Sequence, residues 1–211
     1  MLKIILTGPE SCGKTTLARQ LAKHFGVSLV EEYVREYFEK KQTTQYEEAD
    51  LKEIAMGQIT AEKKAETALF KQLTRKNRAK KPPFFICDTD ILTIKIWSEE
   101  KYGRCDEWIL KQFQISDSKF QIPDSTDLPS NFNSHCAARS NQTLYLLCSP
   151  EGIAWEADPL RENPNDRERL FEVYEKELIF HQKDYKILRG GITERFEEVL
   201  IVLHSFRSQK K

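Results

Sequence analysis

The 211-residue chain carries no excess of either charge, with 33 lysines and arginines against 33 aspartates and glutamates. Nothing global therefore draws it to nucleic acid or to an anionic membrane. One tract, Lys71 to Lys81, is basic, but it falls at the end of a predicted helix, where cations suit the dipole and a solvated face accounts for them. There is no C-x-x-C pair. The five cysteines (Cys12, Cys87, Cys105, Cys136 and Cys148) are odd in number and widely spread, which argues against a zinc site or a disulfide framework. Cys87 and Cys148 lie in apolar, strand-like runs and read as small core residues. No run has the length and apolarity of a transmembrane helix, and no secretory signal pattern is read. There is no internal repeat and no evident linker, so residues 1–211 are expected to form one domain with a substantial core.

What is present is a complete G-x-x-x-x-G-K-[ST] loop, Gly8-Pro9-Glu10-Ser11-Cys12-Gly13-Lys14-Thr15. Its setting matters as much as the match. Leu2 to Thr7 before it is apolar and β-prone, and the run to Phe25 after it has helical spacing at Leu17, Ala18, Leu21, Ala22 and Phe25. Gly8 and Gly13 allow a tight turn and close backbone approach, so that N–H groups converge on an anion at the helix start. Lys14 adds a full charge toward the β- and γ-phosphates, and Thr15 offers a hydroxyl to Mg²⁺. The expected nucleotide-binding set is Gly8, Glu10, Ser11, Cys12, Gly13, Lys14, Thr15 and Thr16, with Cys12 as a tolerated small residue rather than a nucleophile. The implied cofactors are ATP and Mg²⁺. Free thiols and a triphosphate site place the chain, by expectation, in the cytoplasm.

Further along, Val27–Val30 reads as a second strand ending at Glu31-Glu32-Tyr33. Residues 46–79 carry helical signals, as one helix or as two divided at Gly57, and Pro82-Pro83 stops them. Phe84-Phe85-Ile86-Cys87 is wholly apolar, as a strand buried on both faces must be, and ends at Asp88-Thr89-Asp90. Helices are predicted near 91–100 and 106–114, a polar loop or insertion over 116–142, a strand at Leu144–Cys148, a helix from about 167 to 183, a strand at Tyr185–Leu188 and a last helix at 193–207. Alternating strands and helices predict an α/β fold of the P-loop nucleoside triphosphate hydrolase type: a parallel five-stranded sheet with helices on both faces. Ligands in such sheets sit beyond the carboxyl ends of the strands, which brings together the loop, Glu31-Glu32 and Asp88-Thr89-Asp90.

Each cluster has a functional and a structural reading. Asp88, directly after an apolar strand, suits a Mg²⁺ site shared with Thr15, or else caps the next helix. Asp90 reads equally as a cap or a substrate contact. Glu31 and Glu32 offer a carboxylate to accept a hydroxyl proton or bind sugar hydroxyls, or are ordinary helix N-terminal acidity. Arg35 forms a helix-surface ion pair or a substrate clamp. The polar, proline-interrupted stretch from Trp155 to Arg167 reads as a mobile lid whose arginines, Arg161 and Arg167, close over a triphosphate, or as a solvated helix start with weak ion pairs.

Together, GPESCGKTTLA, VEEYVREY, DLKEIAMGQ, FFICDTDILT, IWSEEKYG and WEADPLRENPNDRERLF resemble the ribosylnicotinamide kinase domain of NadR-type NAD biosynthesis proteins, in order and over most of the chain. The resemblance implies ATP-dependent phosphorylation of the 5′-hydroxyl of nicotinamide riboside. It implies Lys14, Asp88, Glu32 and Arg161 as the catalytic set and Thr15 with Asp88 at the metal. Glu31, Glu32, Arg35, Asp90 and Asp158 then lie toward the substrate, and Arg167 toward ATP. Partners are ATP and a small riboside, with no nucleic acid and no membrane; the oligomeric state is left open. The adenylyltransferase and helix-turn-helix regions that such proteins often carry are not expected, because the first strand starts at Leu2. The 116–142 stretch is longer and more polar than the family pattern, and a loop over the substrate edge would alter specificity. Two other readings use the same parts: a kinase for another nucleoside or nucleotide, and a nucleotide-regulated switch. The N-K-x-D guanine signature of GTP switches is absent.

Overall fold

Alternate side chains of β1 (Leu2–Thr7) enter two different cores, which is why Ile4, Ile5 and Leu6 are apolar in succession rather than alternating with polar residues. Ile5 joins Val30, Phe85, Cys87, Tyr145 and Leu147 on one face of the sheet. Ile4 and Leu6 join Leu17, Leu21, Ile86, Leu146 and Val199 on the other. The computed structural model describes residues 1–74, 83–115 and 142–208. Within them the elements are β1, α1 (Lys14–Phe25), β2 (Leu29–Val30), α2 (Tyr33–Lys41), α3 (Glu48–Thr74), β3 (Phe84–Asp88), α4 (Ile91–Tyr102), α5 (Glu107–Ile115), β4 (Gln142–Cys148), α6 (Arg167–Phe180), β5 (Tyr185–Leu188) and α7 (Ile192–Ser208).

The sheet has five parallel strands in the order β2-β3-β1-β4-β5, as the alternation of strands and helices predicts. Leu6 is level with Asp88 of β3 on one side and Leu146 of β4 on the other. The residues after β1 and after β3 therefore leave the sheet side by side, and this register sets the loop beside Asp88. Among the described residues no helix is long and apolar enough to cross a membrane. The expected insertion (residues 116–141), Cys136 and most of the basic tract (75–81) lie outside the described residues.

The structure corrects one division. Residues 48–74 are a single 27-residue helix that runs straight through Gly57. A Cβ at position 57 would stand 1.9 Å from the ring of Tyr33. Glycine is therefore not a break here but the space in which Tyr33, the first residue of α2, packs against α3. The usual helix preference for alanine over glycine is overridden by this contact. Gly57→Ala is expected to lower stability by about 1–3 kcal/mol, the scale of overpacking, where an exposed helix site would gain. Urea denaturation measures this; an unchanged or raised midpoint would show that the ring does not occupy that space.

Candidate active site

The loop between β1 and α1 is built around close approach. Gly8 has φ 128°, and a Cβ on it would meet the Cys148 carbonyl at 2.6 Å, so the loop lies directly against the end of β4. The first turn of α1 carries no acidic residue, and its N-cap, Gly13, makes no side-chain capping bond. Its terminal N–H groups and dipole are thus left to an anion. Lys14 Nζ donates to the carbonyls of Gly8 (2.9 Å) and Pro9 (2.5 Å). Burial opposes its charge, but Cys12, Tyr174, Glu32 and Asp88 outweigh that and hold its pKa above the usual lysine range. Cys12 is fully buried within the loop.

These residues line a cavity of about 390 Å³, with Thr15, Thr16, Glu32, Arg35, Trp97, Tyr174 and Arg161 on its walls. Glu32 therefore does face the loop. Burial and the charge of Asp88 raise its carboxyl from an ordinary 4.5 to about 7, against the pull of Lys14 and Arg35. Asp88 is 2% exposed behind this wall, and its Oδ1 has no hydrogen-bond partner. Burial raises its pKa, while the Thr15 hydroxyl and Lys14 oppose the rise. Buried unpaired carboxylate oxygens are costly unless a ligand completes them. Among the described residues no cluster of three or more His, Cys, Asp or Glu could hold a metal. A hydroxyl plus one buried carboxylate does suit Mg²⁺, which takes few protein ligands and fills its shell from phosphate and water.

Three expected substrate residues, Glu31, Asp90 and Asp158, do not line this cavity. Glu31 turns outward to an exposed ion pair with Arg19 (2.7 Å) and lines a neighbouring groove rather than this cavity. Asp90, 1% exposed, is the cap of α4. Its Oδ1 accepts the N–H of Leu92 (3.1 Å) and its Oδ2 the hydroxyl of Tyr145 (2.7 Å), so both oxygens are engaged by the protein and the residue takes the capping place.

The stretch from Trp155 to Asp166 is laced to the loop. Glu10 accepts the N–H groups of Glu162 (2.9 Å) and Asn163 (3.0 Å), and the Ser11 hydroxyl accepts that of Glu156 (2.8 Å). The side chains of Glu10 and Ser11 thus hold the lid segment, and their backbone is what remains for phosphate. Arg161 reaches Ser11 Oγ (3.4 Å) and the Glu156 carbonyl. Arg167 donates to the carbonyls of Ser11 (3.1 Å) and Ile153 (3.0 Å) and lies over the half-buried Trp155 ring. Asp158 does not line the cavity; it accepts from Leu160 N–H (2.9 Å) and from Arg35 (3.0 Å), tying the lid to α2.

Sequence reasoning missed Arg195. It is 0% exposed and donates to the carbonyls of Cys12 (2.7 Å), Ser149 (2.7 Å), Glu151 (3.1 Å) and Gly190 (2.8 Å). No motif surrounds it. It also missed Trp97 of α4 and Tyr174 of α6, which line the cavity. Trp97 Nε1 donates to Tyr46 Oη (2.5 Å), which in turn meets Glu162 of the lid (3.1 Å).

Arg195→Met leaves four carbonyls, two of them in buried contacts, without this donor. A loss of about 3 kcal/mol or more is expected in urea denaturation, together with weaker nucleotide binding by calorimetry. Arg195→Lys is expected not to restore either, since one ammonium cannot span four acceptors. Full rescue by lysine would show that charge alone matters there.

No curated protein matches the chain. Among solved structures it is similar to NadR protein in complex with NR, with 19% identity and TM-score 0.60 over 96% of this chain and 50% of that one. NadR protein in complex with NAD and AMP-PNP matches at 18% identity and TM-score 0.57, covering 96% and 48%. Thymidylate kinase from Ehrlichia chaffeensis matches at 13% and TM-score 0.54, covering 96% and 98%. This chain spans about half the length of the NadR chains it matches. These likenesses concern the fold. Residues 3–195 match the family model described as an AAA domain. The loop, the strand order and that match agree, and the chain belongs to the AAA domain family, on a parallel five-stranded P-loop α/β fold.

Proposed function

We propose that the protein is an ATP-dependent small-molecule kinase and that its acceptor is nicotinamide riboside, phosphorylated at the 5′-hydroxyl to the mononucleotide. The observation that carries the kinase reading is Glu32. It is a carboxylate with a raised pKa on the wall of the cavity that the phosphate loop lines. A switch needs no such group; transfer to an alcohol does. The riboside rests on the sequence resemblance and is supported by the fold likeness to NadR with NR.

In this reading the loop N–H groups and Lys14 bind the β- and γ-phosphates, and Arg161 adds a second positive group from the lid. Thr15 and Asp88 would hold Mg²⁺, which when bound neutralises charge on the phosphate oxygens. The acceptor oxygen attacks the γ-phosphorus and its proton passes to ionised Glu32. The new O–P bond forms as the bond to the β-phosphate oxygen breaks, and ADP leaves. Arg35 and Asp158 position the lid against α2. A second reading, a kinase for another nucleoside or a nucleotide, is supported by the likeness to thymidylate kinase along nearly its whole length.

ADP release with Mg·ATP across a panel of ribosides and nucleoside monophosphates separates the two, with mass spectrometry of the product. Turnover of another acceptor and none of nicotinamide riboside would sink the riboside choice. Lys14→Ala is expected to abolish transfer, since charge-assisted contacts to phosphate are lost. Asp88→Asn is expected to lower kcat far more than ATP affinity; full activity would remove it from the metal site.

The pH dependence follows from Glu32. Only its ionised form accepts a proton, so kcat/KM for the acceptor is expected to rise with pH through about 7. Glu32→Gln is expected to abolish that limb and cost about a hundredfold or more in kcat. Folding responds oppositely. The folded state holds this proton more tightly than the unfolded chain, so stability from this group declines as pH rises from 4.5 through about 7. Glu32→Gln is therefore expected to raise Tm relative to the native protein at pH 8 and to lose that advantage at pH 4. No gain at pH 8 would show that ionised Glu32 carries no folding cost.

A further inference from the structure

We propose that Gln58 is a positioning residue that sets the spacing between Glu32 and Asp88. The proposal rests on the roles given to those two carboxylates above. Their loops need an external link. The pairing of β2 with β3 ends at Val30↔Cys87, before either carboxylate is reached. Beyond that point β2 and β3 no longer pair with each other, although Asp88 still pairs with Leu6 of β1, and Gln58 of α3, 2% exposed, bridges the two segments. Its Oε1 accepts the N–H of Tyr33 (3.0 Å), the residue after Glu32. Its Nε2 donates to the carbonyl of Thr89 (3.4 Å), the residue after Asp88, and to Glu62 Oε1 (3.3 Å). Glu62 is in turn fastened to Lys3 of β1 (3.0 Å). One amide thus grips the backbone next to each carboxylate and is footed on the central strand.

Both gripped segments need holding. Thr89 has φ 69°, a left-handed conformation that a β-branched residue rarely adopts unless its surroundings impose it. Its N–H goes to the Leu6 carbonyl (3.0 Å) and its carbonyl to Gln58. Tyr33 opens α2, where terminal N–H groups lack intrahelical partners. Glu32 is the N-cap but makes no side-chain capping bond. With Gln58 supplying an acceptor at this terminus, the Glu32 carboxylate stays turned to the cavity. The chemistry also selects the side chain. One end must accept an N–H and the other must donate twice, to a carbonyl and a carboxylate, which an amide does and a carboxylate does not. Glutamine belongs to the I-A-x-G-Q stretch noted in the sequence, and Gly57 beside it admits the Tyr33 ring.

The experiment compares Gln58→Met, which keeps the volume and removes both ends of the bracket, with the native chain and with Glu32→Gln. A loss in kcat of about ten- to a hundredfold is expected, the scale of a small misplacement of reacting groups, with KM for ATP within about twofold. The acidic limb of kcat/KM is expected to move to lower pH. Glu32 is faced by Lys14 from the loop, Arg35 on its own helix, Asp88 from β3, Asp158 from the lid and Tyr174 from α6. Loosening the bracket hydrates it and separates it from Asp88, while Lys14 and Arg35 still favour its charge. A residue that only stabilises the fold would lower Tm and scale activity with the folded fraction, leaving the limb in place; that result overturns the proposal. Should the methionine variant fail to fold, Gln58→Asn keeps both amide groups but is too short to span the gap, and the same split between kcat and KM and the same limb shift are expected. Native kcat in the folded asparagine variant also overturns it. If Glu32→Gln is inactive while Gln58→Met behaves as native, only the positioning role fails. If Glu32→Gln is fully active, the assignment of Glu32 fails first.

Discussion

A guanidinium buried among backbone carbonyls is the constraint on which the rest of this site depends. Among the described residues Arg195 of α7 meets only carbonyls, from the phosphate loop, the turn after β4 and the turn after β5. Removing a guanidinium from water is costly, and here several oriented peptide dipoles compensate it. An acid in that place would neutralise the charge locally. Carbonyls leave a net positive centre beneath the loop and at the same time fix three chain turns with respect to one another. The geometry of the loop is thus set from behind, and its front is left to its own N–H groups and Lys14.

Two carboxylates stand on the front side of the loop, where the cations that act on both are Lys14 and Arg35. Burial raises the proton affinity of both Glu32 and Asp88, and the charge of Asp88 raises that of Glu32 further. Lys14 and Arg35 offset the cost without pairing off both acids. The result is one carboxylate poised near neutral pH on the cavity wall and one behind it with an oxygen unengaged by the protein. Groups held in this balance contribute little to stability, and the chain meets the cost with a sheet buried on both faces and with the contacts that draw the lid segment to Glu10 and Ser11. Those contacts also join the phosphate loop to the wall of the cavity that holds Trp97, since Glu162 meets Tyr46, the partner of Trp97.

Much of this was legible in one dimension. A strand buried on both faces is a continuous apolar run, so Ile4–Leu6 and Phe84–Cys87 announce themselves. The strand–loop–helix order around Gly8–Thr15 carries its own chemistry. Parallel topology then places Glu32 and Asp88 near Lys14 without further information. The helix through Gly57 was less legible, because glycine in a helical pattern signals a break unless the ring that needs the space is known. Glu31 and Glu32 are adjacent and alike in type; which of them faces the cavity depends on where α2 begins and on Arg19 standing opposite Glu31. Asp90 and Asp88 differ in what reaches them: Asp90 accepts the Leu92 N–H and the hydroxyl of Tyr145 from β4, while Asp88 Oδ1 has no partner among the described residues.

Composition, periodicity and one motif determined the fold class, the strand order's parallel sense and the identity of the phosphate-binding loop, because each of these is set by short-range pattern: buried strands must be apolar, and converging N–H groups require glycine and a helix start. The tertiary structure alone decided which acids face the cavity, that Glu10 and Ser11 hold the lid, and that Arg195 and Gln58 brace the loops. Their partners are backbone carbonyls and N–H groups, which every residue possesses and no residue type reveals. The contacts from Arg195 and Gln58 to the loops span 5 to 183 positions of the chain. A side chain that binds backbone leaves no complementary residue in the sequence, so only the fold can show what it holds.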